Sequence, residues 1–273
     1  MRALLVLNEK SRRGVRDGDL VCRTLEEVGI DCVRDPGAGD VNAVIAAGGD
    51  GTVIGTAPLA IERKVPLGIV PLGTFNDLAK TLGVPAGIED ACRSILRGNT
   101  RRIDVGRVNG TYFVNEASIG LSTRIARKQT PEVKQRFGAL GVIATTLESL
   151  RAARPFFADI AYDGTRERVR TVQITVANSA RFGGVIERTD ASIDDGWLDL
   201  YSIEVRTWWQ AFSLARKAIA RDPRSGDGLR TRRSSRFTVH THHPHHIAAD
   251  GEPAGMTPAT FEILPHALEV LIP

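Results

Sequence analysis

The chain has 273 residues, 42% of them hydrophobic and 25% charged, with a formal net charge of +4. That length accommodates one large domain or two modest ones with separate cores, and the composition excludes a disordered or fibrous chain. The main apolar runs, over 3–7, 43–47 and 69–72, are strand-length and fall far short of the roughly 20 residues that cross a bilayer.

Met1-Arg2 leads directly into the first apolar run and charged residues follow almost at once, which is not a secretory signal pattern. A cytoplasmic home is expected. Cys22, Cys32 and Cys92 form no CxxC pair and are odd in number, so they read as reduced, structural thiols. The arginines are grouped: Arg12-Arg13, Arg101-Arg102, and the stretches 124–154 and 221–236. Such groups suit phosphate, anionic lipid or nucleic acid, and equally a plain solvated surface.

In chain order, the apolar run 3–7 reads as a strand. Leu20, Leu25 and Val28 fit one helix face, and Gly29 is placed to stop that helix. A short strand is expected over 30–33 and a buried one over 43–47, ending at Gly48-Gly49 with a helix from Thr52. Another strand over 67–70 ends at Pro71-Leu72-Gly73, with helices from about Asn76 and over 88–96, the latter closed by Gly98. This alternation argues for a parallel sheet covered by helices.

After about Asp104 the rhythm changes. Asn109-Gly110 and Asp163-Gly164 are hairpin signals between strand-like segments. Helices are expected over 132–151 and 207–220, and strands over 236–241, 246–249, 260–264 and 268–272. The reading is two domains: an α/β domain over 1–105 and a mostly antiparallel β domain over 106–273. The extreme C-terminus is allowed to pack back on the first.

Three elements carry chemistry. In Gly48-Gly49-Asp50-Gly51-Thr52 a buried strand meets glycines around one aspartate at a helix start. Glycines let backbone amides approach a bulky anion, and the unpaired amides of a helix N-terminus favour phosphate. Asp50 would repel that phosphate unless a cation such as magnesium lay between them. The spacing fits neither a P-loop nor a dinucleotide fingerprint, since Ile54 stands where the third glycine would be. Pro71-Leu72-Gly73-Thr74-Phe75-Asn76-Asp77 repeats the plan one crossover later. Right-handed crossovers bring such turns to one sheet edge, where α/β folds bind ligands. Each turn on its own also has a plainer reading, a tight turn with a helix cap. The third element, Asp250-Gly251-Glu252, is a β-turn with two adjacent carboxylates, suited to a base and a metal or substrate contact in phosphoryl transfer.

With these motifs, and Asp194-Asp195-Gly196-Trp197-Leu198-Asp199 between them, the sequence resembles the diacylglycerol kinase catalytic-domain family, relatives of sphingosine kinases and more distantly of NAD kinases. The resemblance implies that 1–105 is an α/β nucleotide-binding domain and 106–273 an antiparallel β-sandwich lipid-substrate domain, together an ATP-dependent kinase acting on a lipid hydroxyl, with the active site in a cleft between the domains. It implies Asp250 as general base, and Asp50, Asp77 and Glu252 as carboxylates organising catalytic Mg2+. Gly48, Gly49, Gly51, Thr52, Gly73, Thr74 and Asn76 would line the ATP site, with Asn8 and Ser11 beneath it. Asp195 with the carbonyls of Ser192 and Trp197 matches a structural magnesium site. The partners implied are ATP and a lipid at the inner membrane face, without nucleic acid; monomer and homodimer stay open. The sequence departs from the family at Glu9-Lys10-Ser11-Arg12, at Ile54-Gly55 and at Phe75, where glycine is common. A soluble-substrate kinase of NAD-kinase type and a non-catalytic nucleotide or lipid sensor remain as alternatives. His240, His242, His243, His245 and His246 read as a polar turn interrupted by Pro244 rather than a metal site. Of the arginine groups, 221–236 beside Trp208-Trp209 is the expected membrane contact.

Overall fold

The structure, a computed structural model, describes residues 1–8, 12–35, 37, 39–73, 76–120, 154–178, 181–182, 186–187, 192–205, 210 and 228–273. The helices expected over 132–151 and 207–220 (Gln210 apart), the arginines at 221 and 224, and Ser11, Thr74 and Phe75 lie outside those residues. The chain divides into two compact units, Met1–Ile103 with His266–Pro273, and Asp104–Pro265.

In unit 1 the elements are β1 (Arg2–Leu7), α1 (Arg12–Glu27), β2 (Asp31–Val33), β3 (Ala43–Gly48), α2 (Asp50–Arg63), β4 (Leu67–Pro71), α3 (Asp77–Thr81) and α4 (Ile88–Arg97). The strands pair in parallel in the order β2-β1-β3-β4, and Val270 of the C-terminal segment pairs in parallel with Leu67. Ala3, Leu5, Ile45, Ala47 and Val70 pack with Val21 and Leu25 of α1 and with Cys92 and Ile95 of α4. The intervening Leu4, Val44 and Ala46 are equally buried, as a sheet covered on both faces requires. Gly29, at φ +85°, ends the first helical stretch and Gly98, at φ +75°, caps α4. The three thiols are free, and burial pushes those of Cys32 and Cys92 up to about 11 and about 12.

The remaining strands are β5 (Thr100–Val108), β6 (Thr111–Phe113), β7 (Glu116–Gly120), β8 (Phe156–Tyr162), β9 (Thr165–Thr171), β10 (Gln173–Ala177), β11 (Arg181–Phe182), β12 (Ile186–Glu187), β13 (Leu198–Ile203), β14 (Leu229–Ser234), β15 (Arg236–Thr241), β16 (His246–Ala249), β17 (Glu252–Met256) and β18 (Ala259–Leu271). In unit 2, one sheet runs β14-β13-β10-β7-β16-β17, all antiparallel. A second has the antiparallel order β18-β15-β8-β9. Ile119, Ile174, Val176, Leu200 and Ile247 of the first meet Ile160, Phe237, Val239 and Phe261 of the second in one core, which makes the unit a β-sandwich. Asn109-Gly110 and Asp163-Gly164 both hold positive φ at each residue, the torsions of a type I′ hairpin turn. Where two strands are expected near the C-terminus, a single β18 runs through, with His266 at φ +53° as its local irregularity. Its opening residues 259–262 pair with β15 in unit 2.

Candidate active site

The two glycine turns of unit 1 meet because β3 and β4 are adjacent and in register, Gly48 opposite Pro71. The Leu72 amide donates to the Gly48 carbonyl at 2.8 Å. Beyond that bond the turns touch backbone to backbone: a Cβ built on Gly73 would stand 2.4 Å from Gly49 Cα. No residue but glycine allows that approach.

The Asn76 side chain holds the second turn. Its Oδ1 accepts from the Gly73 amide and its Nδ2 donates to the Gly73 carbonyl, both at 2.9 Å. Asn76 takes φ +51° as the residue before α3, a conformation asparagine tolerates. Its amide group therefore shapes the loop. Asp50 opens α2 behind Gly49, where no side chain caps the helix. The Thr52 and Val53 amides both donate to the Gly49 carbonyl, which leaves the Asp50 and Gly51 amides as donors of a helix start without a partner among the described residues. Asp50 Oδ1 accepts from Leu78 N–H at 3.4 Å, tying the start of α2 to that of α3, whose first residue is Asp77. Neither carboxylate has a basic partner among the described residues. Asn8 continues β1 at the same edge, its amide donating to the Ala47 carbonyl at 3.2 Å.

In unit 2, Asp250 and Gly251 form a two-residue turn between β16 and β17, at φ +48° and +91°. The turn aims Asp250 back at the segment joining β6 to β7. Its Oδ2 accepts from Val114 N–H at 2.6 Å, and its Oδ1 from the Asn115 and Glu116 amides at 3.0 and 2.9 Å. The backbone amide of Asp250 donates in return to the Glu116 carbonyl at 2.8 Å. Asn178 braces this segment from another side. Its Nδ2 donates to the Asp104 and Val114 carbonyls at 2.9 Å each, and its backbone amide to the Asn115 carbonyl at 2.8 Å.

Burial raises the Asp250 carboxyl to about 6, against the pull of the three amides. Glu116 is raised to about 7, by burial first and then by the charge of Asp250. The sequence offers no signal for Glu116 or Asn178, because each reads as an ordinary strand-end residue. Glu252 opens β17 and is exposed.

Asp195 is tied to its own turn. Ser192 N–H donates to its Oδ2 at 3.2 Å, Trp197 N–H to its Oδ1 at 3.0 Å, and Arg233 Nη2 lies 3.4 Å from Oδ2. Each oxygen of Asp195 accepts one amide, and the guanidinium beside it is shared with Asp199. Oδ1 keeps a lone pair, and a magnesium ion held there by Asp195 with the Ser192 and Trp197 carbonyls stays a proposal. Asp50 and Asp77 fit such an ion: two hard oxygen donors without a cation, beside unpaired amides, are what a phosphate-bound divalent ion needs.

The raised Glu116 gives a prediction. A carboxyl whose pKa is lifted from 4.5 to about 7 by folding binds its proton more tightly in the folded chain. Its stabilising contribution is full below pH 4.5 and is lost as pH rises through about 7. Glu116→Gln should therefore gain stability over wild type on going from pH 5 to pH 8, by on the order of 1–3 kcal/mol. Urea midpoints at the two pH values measure it, and parallel pH profiles for both proteins would refute it.

Residues 2–108 match the diacylglycerol kinase catalytic domain, and residues 115–272 match the YegS C-terminal NAD kinase beta sandwich-like domain. The chain is 31% identical to a Bacillus subtilis diacylglycerol kinase over 242 residues, covering 86% of this chain and 78% of that protein. It is also 31% identical to a Klebsiella pneumoniae protein named "probable lipid kinase YegS-like", covering 86% and 79%. Another relative, an uncharacterized protein of Synechocystis, is 31% identical over 88% of this chain, which spans 57% of that longer protein. Among solved structures, a crystal structure of a diacylglycerol kinase from Bacillus anthracis superposes with a TM-score of 0.76 at 25% identity, covering 100% of this chain and 97% of that one.

Proposed function

The chain belongs to the diacylglycerol kinase catalytic-domain family, and from that premise we propose that it is an ATP-dependent lipid kinase, moving the γ-phosphoryl group of ATP onto a lipid hydroxyl such as that of diacylglycerol. The observation that carries the reading is the contact of Gly49 with Gly73. It puts two carboxylates and the unpaired Asp50 and Gly51 amides at one edge of one sheet.

The amides receive phosphate oxygens, and the dipole of α2 favours the negative charge there. Asp50 and Asp77 would hold magnesium, which supplies positive charge against the phosphates when bound. Glu252, exposed on its turn, is proposed from the family resemblance alone as a further carboxylate for catalytic magnesium. Asp250 is the base. Its Oδ1 takes two amide donors and is filled, whereas Oδ2 takes one and keeps a lone pair for a proton. The lipid oxygen bonds to the γ-phosphorus, the bond from phosphorus to the β–γ bridging oxygen breaks, ADP leaves, and the hydroxyl proton passes to Asp250 Oδ2. A carboxyl with a pKa near 6 is deprotonated at neutral pH yet basic enough to accept that proton.

A lipid hydroxyl is presented at a bilayer, so the protein would work peripherally at the inner membrane face. No described helix is long and apolar enough to cross a membrane. Incubation with ATP labelled at the γ-phosphate, with lipid extract in one arm and NAD in the other, tests the assignment. Label in organic-extractable lipid is expected. Label on NAD, or ATP bound with no transfer to any lipid, would replace this reading by the soluble-kinase or the sensor reading.

A further inference from the structure

The described arginines of unit 2 fall into two classes. Arg230 is held by Glu204 and Glu167, Arg232 by Glu167, and Arg233 by Asp199 and Asp195, at 2.6 to 3.4 Å. Arg107 is bound to Glu262 at 2.6 Å. These side chains are part-buried and their charge is already matched, so the described part of the stretch 221–236 offers little free charge beyond Arg236. Among the described residues the free charge is concentrated on β9. Arg166, Arg168 and Arg170 stand at alternate positions of that strand, so they share one face, and all three are exposed with no carboxylate within ion-pair distance among the described residues. Successive members are spaced about 7 Å apart along the strand.

The same face of β8 carries Phe157, 51% exposed, directly opposite Arg170. The Arg168 guanidinium lies over the Phe157 ring, 5.2 Å from its centroid. Asp159, opposite Arg168, is the acidic residue of that face of β8. Beside the row is a depression of about 490 Å³ walled by Phe157, Arg168, Arg170, Glu204 and Arg230. An unpaired row of arginines around one protruding aromatic ring is complementary to a surface that is anionic outside and apolar just beneath. Among the described residues the strand pairs on one side only, with β8, and rows of like charge oppose its pairing with a second copy.

We infer that this face of the β8–β9 hairpin is the membrane contact of unit 2, with Arg166, Arg168 and Arg170 on anionic lipid headgroups and Phe157 inserted between them. The inference rests on the lipid-kinase reading for its purpose, but its test does not. Phe157 supplies the apolar anchor that suits an interface. The arginines supply attraction that falls with ionic strength.

The test is co-sedimentation of the full chain with vesicles of equimolar phosphatidylcholine and phosphatidylglycerol, without ATP, at low and high salt. A basic residue near such a leaflet changes partition by roughly five-fold, so the variant R166Q/R168Q/R170Q should lose about 10²-fold at low salt. Phe157→Ser should weaken binding at both salt concentrations. The variant R23Q/R93Q/R97Q, with the same change of net charge in unit 1, should stay close to wild type. Equal losses in the two triple variants, or vesicle binding unaltered by R166Q/R168Q/R170Q, would overturn the inference. So would failure of wild type to bind. Self-association gained by R166Q/R168Q/R170Q with unaltered vesicle binding would assign the row to guarding the strand edge instead. Turnover on a water-soluble short-chain diacylglycerol, measured alongside, should be the same in wild type and that variant. If no lipid is phosphorylated by either protein, the kinase reading fails while the vesicle result stands.

Discussion

Asp250→Asn should fold as wild type does and lose roughly 10²–10⁴ in turnover, the usual contribution of a positioned general base. Asparagine tolerates the φ of +48° that the turn demands. It does replace one carboxylate oxygen by an NH2 group, which faces the Val114, Asn115 or Glu116 amide as donor against donor. That mismatch costs about 1–3 kcal/mol. Removal of a carboxylate whose ionised form burial disfavours offsets part of it above pH 6. Circular dichroism and urea unfolding establish that the variant is folded, and turnover with saturating ATP measures the chemistry. The KM for ATP should change little, because the amides assigned to phosphate belong to Gly48-Gly49-Asp50-Gly51-Thr52. A folded Asp250→Asn protein with wild-type turnover would leave Asp250 as a staple for the 114–116 segment and no more.

The second large effect is expected from a single methyl group. Gly73→Ala places a Cβ 2.4 Å from Gly49 Cα and 2.6 Å from Asn76 Oδ1. The first contact is with backbone, so no side-chain rotation relieves it. The strand ends behind it are locked by the pairing of Gly48 with Pro71 and by the 2.8 Å bond from Leu72 N–H. The turns must separate and the Asn76 staple must shift. A destabilisation of about 1–3 kcal/mol is expected, with at least a ten-fold loss of ATP affinity, equivalent to about 1.4 kcal/mol. Gly51→Ala is the stability control. A Cβ there meets nothing within 4 Å, and alanine inside α2 should stabilise by roughly 0.5–1 kcal/mol. Titration calorimetry with ATP and urea midpoints separate the two effects. If Gly73→Ala binds ATP as wild type does, the turns do not act as one phosphate site.

Much of the fold was legible because its signals are local. The turns at Asn109-Gly110, Asp163-Gly164 and Asp250-Gly251 take the torsions that those residue pairs favour. The buried runs ending at Gly48 and Pro71 are adjacent strands, as a single crossover implies. Other features did not follow from the pattern. Pro265-His266 reads as a break, yet β18 passes through it, because a left-handed residue can be absorbed within a strand as a local irregularity. The arginines at 230, 232 and 233 read as a free basic patch. Strand pairing sets Arg233 opposite Asp199, and the fold brings Glu204 and Glu167 to Arg230 and Arg232.

The sequence alone determined the turn chemistry, the alternation of elements and the positions of Asp50, Asp77 and Asp250. Each of these depends on torsional preferences and residue types read within a few neighbouring positions. Only the tertiary structure decided that Asp250 rests on amides from 134 to 136 residues away, that Glu116 shares its surroundings, and which arginines keep their charge for a partner. Burial and pairing of charge are properties of segments brought together by packing, and no window along the chain contains both members of such a pair.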